Sequence, residues 1–317
     1  MLVEHRRSAG GDFVTADGTW LHVTEHGKRD APLTVVLAHG WTLDERTWAP
    51  VVRALSGDDG LRLVTYEHRG HGRSDPATVE TSTITQLGDD LAELLTDRID
   101  GPVILAGHSL GGMAIMSMAE RHPELIADRV AGVAFIATSC CDLMPCDLGL
   151  KPAVARLVAA IEVRLMRSEM LARWMRKRAA VAHRARMITP GVRWLLFGDD
   201  PRREDIELTA RCVAQSRSEN IVNFVPTLDE HDCRAALATF ADTPALVLCG
   251  VRDRLTALRH TQAIAMELPH ARTVTYRSAG HMVPLERAEQ VAGRISELAR
   301  ECDVRESFSA VLQREAG

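Results

Sequence analysis

Lysine is nearly absent from this chain: Lys28, Lys151 and Lys177 are the only three in 317 residues, a scarcity read as coding bias rather than function. The formal net charge is −5, so the excess of cations that would neutralise a phosphate backbone is missing and no nucleic-acid partner is expected. No stretch approaches the ~20 apolar residues that cross a bilayer, so no membrane span is expected. Near the N-terminus the basic residues His5, Arg6 and Arg7 are followed by a polar, glycine-rich Ser8 to Asp12 instead of the apolar core of a signal peptide, which makes cytoplasmic residence the expectation. There is no internal repeat or low-complexity tract. The seven cysteines form an odd set, which fits reduced thiols better than a disulfide framework. Cys140, Cys141 and Cys146 cluster, but no histidine or further cysteine lies beside them at zinc-like spacing, so they read as small apolar side chains. His68 and His71, three apart, likewise lack nearby cysteine or carboxylate ligands, and a metal site is not expected.

What is present fits a globular protein. Hydrophobic residues make up 46% and charged residues 26% of the chain, ordinary values for a folded domain. Strand-like runs alternate with helical ones from Leu33 to Ala137, preceded by a hairpin about Ala16-Asp17-Gly18. This predicts a mostly parallel, doubly wound sheet with helices on both faces. After Thr138 the strands stop, and helical spacing (Val154, Leu157, Val158, Ile161, Leu165) takes over until about Phe240. Alternation resumes at Pro244 and closes with helices from Pro284 to Arg300 and from about Val304 to Gln313. The expected organisation is a core over 1–139 and 241–317, with a helical lid over 140–240.

The apolar run Val103 to Ala106 enters Gly107-His108-Ser109-Leu110-Gly111 and then a helical pattern. Strand, tight turn with a central serine, helix: this is a nucleophile elbow. Glycines two before and two after the serine let strand and helix backbones approach without a Cβ between them. Ser109 is thereby set at a helix N-terminus, where backbone N–H groups stabilise developing negative charge.

The order serine, acid, histidine is that of the α/β-hydrolases. Asp253 follows the strand-like Pro244 to Gly250, and His281 follows Thr273 to Tyr276. Both lie in loops beyond the carboxyl ends of strands, where side chains distant in sequence converge. The run Leu33 to Ala38 ends in His39-Gly40-Trp41-Thr42. Its Trp41 N–H, with the Leu110 N–H, would form an oxyanion hole; Gly40 permits the close approach, His39 is read as a structural ring beneath the loop, and Trp41 also lines the acyl pocket.

With these residues the chain resembles the α/β-hydrolase superfamily, in its lidded branch of esterases, lipases, thioesterases and C–C bond hydrolases. The resemblance covers nearly the whole chain except the middle. It includes Glu67-His68-Arg69-Gly70-His71-Gly72-Arg73-Ser74, similar to the family's D-x-R-G-x-G-x-S loop but with Glu67 where aspartate is usual. Leu255-Thr256-Ala257 also departs, because a proline is frequent there. Serine at the elbow excludes the carboxylate nucleophile of epoxide hydrolases and haloalkane dehalogenases, and favours attack on an acyl carbonyl.

The expected reaction is cleavage of a carboxylic ester by a Ser109, His281, Asp253 triad through an acyl-enzyme, with no metal or organic cofactor. Thioester and C–C bond hydrolysis use similar side chains. A hydrolase-fold ligand receptor that keeps the triad for binding is the alternative of another class. Met170, Leu171, Trp174 and Met282, with Trp41, are candidate walls for a small hydrophobic acyl substrate. The same region is rich in arginine, with Arg173, Arg176 and Arg178 among others. That cluster reads as a solvated face, or alternatively as a dock for an acidic carrier protein or anionic lipid. Oligomeric state is not legible.

Overall fold

The computed structural model describes residues 12–143 and 178–315. β1 (Asp12–Val14) and β2 (Trp20–Gly27) form the expected hairpin, with Phe13 opposite Leu21. β3 (Leu33–Ala38) leads into a 3-10 turn at Glu45–Trp48 and then α1 (Ala49–Leu55). Sequence periodicity suggests one helix from Arg46 to Leu55, but Pro50 sits in the first turn of α1; lacking an N–H, proline is tolerated there and not further in. β4 (Leu61–Tyr66) and α2 (Ile84–Asp97) follow, the Thr83 hydroxyl capping α2 by accepting from the Gln86 N–H. β5 (Val103–His108), α3 (Leu110–Arg121), α4 (Pro123–Arg129) and β6 (Val130–Ile136) complete the first part of the core.

Between β6 and β7 (Ala245–Gly250) lies the insertion, with α5 (Arg178–Leu196), α6 (Arg203–Gln215) and α7 (Ser218–Asp229). Its outgoing and returning stems meet where Cys141 bridges Asp232 and the Cys233 N–H donates to the Cys140 carbonyl. The helical stripe at Val154 to Leu165 lies outside the described residues. α8 (Leu258–Glu267), β8 (Arg272–Tyr276), α9 (Val283–Glu286) and α10 (Ala288–Glu315) end the chain. α10 corrects the expectation of two separate C-terminal helices. Glu301-Cys302-Asp303 contains no glycine or proline to stop a helix, so the backbone runs through.

The eight strands form one sheet in the order β1-β2-β4-β3-β5-β6-β7-β8, parallel from β4 to β8, with β2 antiparallel to both its neighbours. Every residue of β3 is buried because the strand is covered on both faces. Val36 and Ala38 face α2 and α3, packing with Leu91, Leu95, Ile115 and Met116. Val35 and Leu37 face α1 and α10, packing with Val51, Leu55, Val291 and Ile295. The two-residue period of a strand delivers alternate side chains to two separate cores. The insertion rests on the core through its own seam, in which Val192, Leu196, Phe197 and Ala210 meet Leu43, Met282 and Leu285. Among the described residues no helix is long and apolar enough to cross a membrane.

Candidate active site

Ser109 joins β5 to α3 with φ 53° and ψ −118°, a left-handed backbone that a side chain adopts only under constraint. The constraint is close packing. A Cβ on Gly107 would lie 2.5 Å from the Gly112 nitrogen, and one on Gly111 would lie 2.3 Å from the Ala38 carbonyl oxygen. Thr138, just past β6, donates to the Ser109 carbonyl at 2.7 Å. The loop after β3 is pressed against the same serine, since a Cβ on Gly40 would come within 3.1 Å of the Ser109 Cβ. Trp41, next along, is half-buried against Leu110, Met113, Phe224 and Leu228, and its indole N–H is buried with no hydrogen-bond partner.

Asp253 lies three residues beyond β7 and His281 five beyond β8. Their side chains are buried and joined by a 2.8 Å bond between His281 Nδ1 and Asp253 Oδ2. The carboxylate is further held by the Leu255 and Thr256 N–H groups, at 2.8 and 2.9 Å, and by the Thr256 hydroxyl at 2.8 Å. Burial pushes the Asp253 carboxyl pKa up, but the charge and hydrogen bond of His281, with these further donors, outweigh it and hold the pKa below the usual carboxylate range. An ionised carboxylate only accepts, so Nδ1 carries the proton and the Nε2 lone pair is left available. Thr256 was not singled out by sequence reasoning. Its signal is a threonine three residues after the acid, where residues 255 and 256 both have N–H groups that a proline would lack.

The remaining sequence candidates divide. Met282 lies in the chain beside His281, but its side chain is fully buried in the insertion seam rather than on a wall open to solvent. Met170, Leu171, Trp174, Arg173 and Arg176 lie outside the described residues, as does the side chain of Arg178. His39 is a buried ring under the loop: its Nδ1 donates to the Gly40 carbonyl at 2.8 Å while Nε2 accepts from the His68 N–H at 3.1 Å. Glu67 makes its own bonds despite replacing aspartate, for its carboxylate accepts from the Arg73 N–H and its carbonyl accepts from Ser74 Oγ at 2.6 Å. Burial raises the Glu67 carboxyl pKa. Cys140 and Cys141 are buried with their sulfurs 3.7 Å apart, and among the described residues no group of three or more potential ligands is placed to hold a metal. A cleft of about 530 Å³ between the core and α6, lined by Glu67, Arg73, Cys212 and Gln215, does not include Ser109, Asp253 or His281 in its walls.

Residues 35–294 match the model of the alpha/beta hydrolase family. The chain belongs to that family and is a hydrolase. It is 28% identical over 267 residues to the protein named "Putative carbamate hydrolase RutD" from Yersinia enterocolitica, covering 83% of this chain and 86% of the relative. It is also 28% identical over 269 residues to the pimeloyl-acyl-carrier-protein methyl ester esterase of Aromatoleum aromaticum, covering 84% and 98%. Among solved structures, the enol-lactonase of Burkholderia xenovorans LB400 superposes with a TM-score of 0.69 at 25% identity over 89% of this chain and 97% of its own.

Proposed function

We propose that this protein is a serine hydrolase that cleaves a carboxylic ester by two-step acyl transfer, with residues 140–240 as its lid. The observation that carries the reading is the Asp253 to His281 bond, in which a fully hydrogen-bonded carboxylate sets the tautomer of one imidazole, beside an elbow that holds Ser109 in a left-handed backbone. In the mechanism, His281 Nε2 takes the Ser109 proton as Oγ attacks the carbonyl carbon. The Trp41 and Leu110 N–H groups hold the oxyanion. The leaving alcohol takes the proton from His281, and water, activated in turn by His281, releases the acid. No step calls on a cofactor. Two relatives named for ester or lactone substrates support the bond class, and the name of the RutD relative favours a carbamate as a second reading, since a carbamate presents the same acyl carbonyl to Ser109.

The test is covalent labelling with a fluorophosphonate, followed by turnover of an ester, thioester and carbamate panel. Wild type should be labelled on Ser109 alone. Ser109→Ala should keep the fold and lose about 10³-fold or more in kcat, because only the oxyanion hole and substrate binding then remain. An unlabelled wild type, or an alanine variant with near-normal turnover, would sink the assignment.

A further inference from the structure

The loop that carries His281 is held from several sides, by the β7 loop through the Arg252 N–H to the Ala279 carbonyl at 2.9 Å and the Asp253 to His281 bond, and also by the insertion, α9 and the elbow. At the C-terminal end of α5 the Leu196 carbonyl accepts from both the His281 N–H, at 2.8 Å, and the Met282 N–H, at 3.1 Å. From α9, Glu286 places one carboxylate oxygen on the Gly280 N–H and the other on the Gly198 N–H, each at 2.8 Å. From the elbow, His108 Nε2 donates to the His281 carbonyl at 2.9 Å, its ring centroid 4.9 Å from that of His281. Insertion and loop meet backbone to backbone. A Cβ on Gly198 would lie 1.9 Å from the Ser278 carbonyl oxygen, and one on Gly280 would lie 2.5 Å from the Phe197 carbonyl carbon.

The Glu286 carboxylate joins both partners. Gly280 precedes His281 and Gly198 follows α5, so the carboxylate fixes the separation between the loop and the end of the insertion helix. Both of its bonds come from N–H donors, an arrangement that only an ionised carboxylate satisfies in full. Proton transfer from Ser109 depends on the position of the imidazole, and misplacement by ~1 Å can cost on the order of 10²-fold in rate.

We propose that Glu286 is a positioning residue for His281, and that through Glu286 and the Leu196 carbonyl the seating of the insertion sets the reactivity of the base. This rests on the reading of His281 as the base. Glu286→Gln sets an amide NH2 against one of the two N–H groups and keeps one bond of the two. Gly198→Ala drives the end of α5 off the loop from the other side.

Both variants of the full chain are compared with wild type well below the unfolding temperature. The readouts are kcat and KM on a small soluble ester, the rate of phosphonate labelling of Ser109, and the downfield Nδ1 proton resonance of the His281 to Asp253 bond, assigned by its loss in His281→Gln. In both variants kcat and labelling should fall about 10- to 100-fold with KM changed less than about threefold, and the resonance should broaden or move. A folded Glu286→Gln with kcat and labelling within about twofold of wild type and an unmoved resonance overturns the proposal, even if its Tm is lower. If Gly198→Ala fails to fold, Glu286→Gln alone decides. If wild type is not labelled at Ser109, the nucleophile assignment fails by itself, and the resonance still decides whether Glu286 holds His281.

Discussion

His281 and the histidines packed around the elbow and the β3 loop, His39, His68, His71 and His108, are all buried, yet their nitrogens meet different things. His281 Nδ1 meets a carboxylate. The other four meet backbone: His39 the Gly40 carbonyl, His68 the His39 carbonyl, His71 the Arg69 carbonyl and His108 the His281 carbonyl. The His39, His68 and His71 rings meet edge-on or tilted, His39 lying 4.6 Å from His68 and 5.4 Å from His71, so a positive charge on one disfavours a charge on the next. Burial pushes all four pKa values down; a neighbouring imidazole adds to it at His68, His71 and His108, the last through His281, and His71 and His108 fall to about 3. A neutral imidazole with a carbonyl partner braces a loop; one with an ionised partner and a free lone pair accepts a proton.

The sharpest break of that contrast is Asp253→Asn. The amide can present its NH2 to His281 Nδ1, which moves the ring proton to Nε2 and removes the lone pair that the mechanism needs. The fold should survive, and kcat should fall by about 10⁴. A loss under about tenfold would show that the carboxylate does not set the tautomer.

The bracing set should appear in acid stability. Each of the four has a folded pKa below its unfolded value of about 6.5, so below that pH the unfolded chain binds protons that the folded chain refuses. Stability is therefore complete above pH ~6.5 and lost as pH falls toward ~3. His71 and His108 alone should contribute a slope of about 2.6 kcal/mol per pH unit, about 1.3 kcal/mol each, in urea unfolding between pH 5 and 4. His71→Gln should flatten the slope by about 1.3 kcal/mol per unit whatever it does to stability at neutral pH. An unchanged slope would mean that His71 is not held neutral.

The smallest effect is expected at His122, which also has a carboxylate partner, Asp89, at 2.8 Å, but lies partly exposed at the end of α3. His122→Ala should cost no more than about 1 kcal/mol and leave kcat unaltered. A large loss of turnover would break the rule that a carboxylate matters only where it is buried opposite the elbow.

Much of the candidate site's geometry was legible in the sequence. The elbow is a local pattern, although only Gly107 is required by a contact within a few residues of Ser109, at Gly112, while Gly111 is required by the Ala38 carbonyl of β3. Asp253 and His281 were reachable because strand ends in a parallel sheet point to one rim. The supports were not legible. Thr256, His108 and Glu286 matter through loops that meet only after β5, β7 and β8 are side by side, and nothing in the local sequence marks Gly198 as touching Ser278. The C-terminal helix shows the opposite error, a break expected where no residue interrupts the backbone.

By itself the sequence determined the features that act over short range: the alternation of β3 side chains between two cores, the cap and proline that start α2 and α1, and the strained turn at Ser109. Which buried histidine meets a carboxylate and which meet backbone carbonyls belonged to the tertiary structure. A pKa depends on burial and on the charges within a few ångströms, and the carboxylate that singles out His281 lies 28 residues away along the chain; only the packed sheet brings it to 2.8 Å.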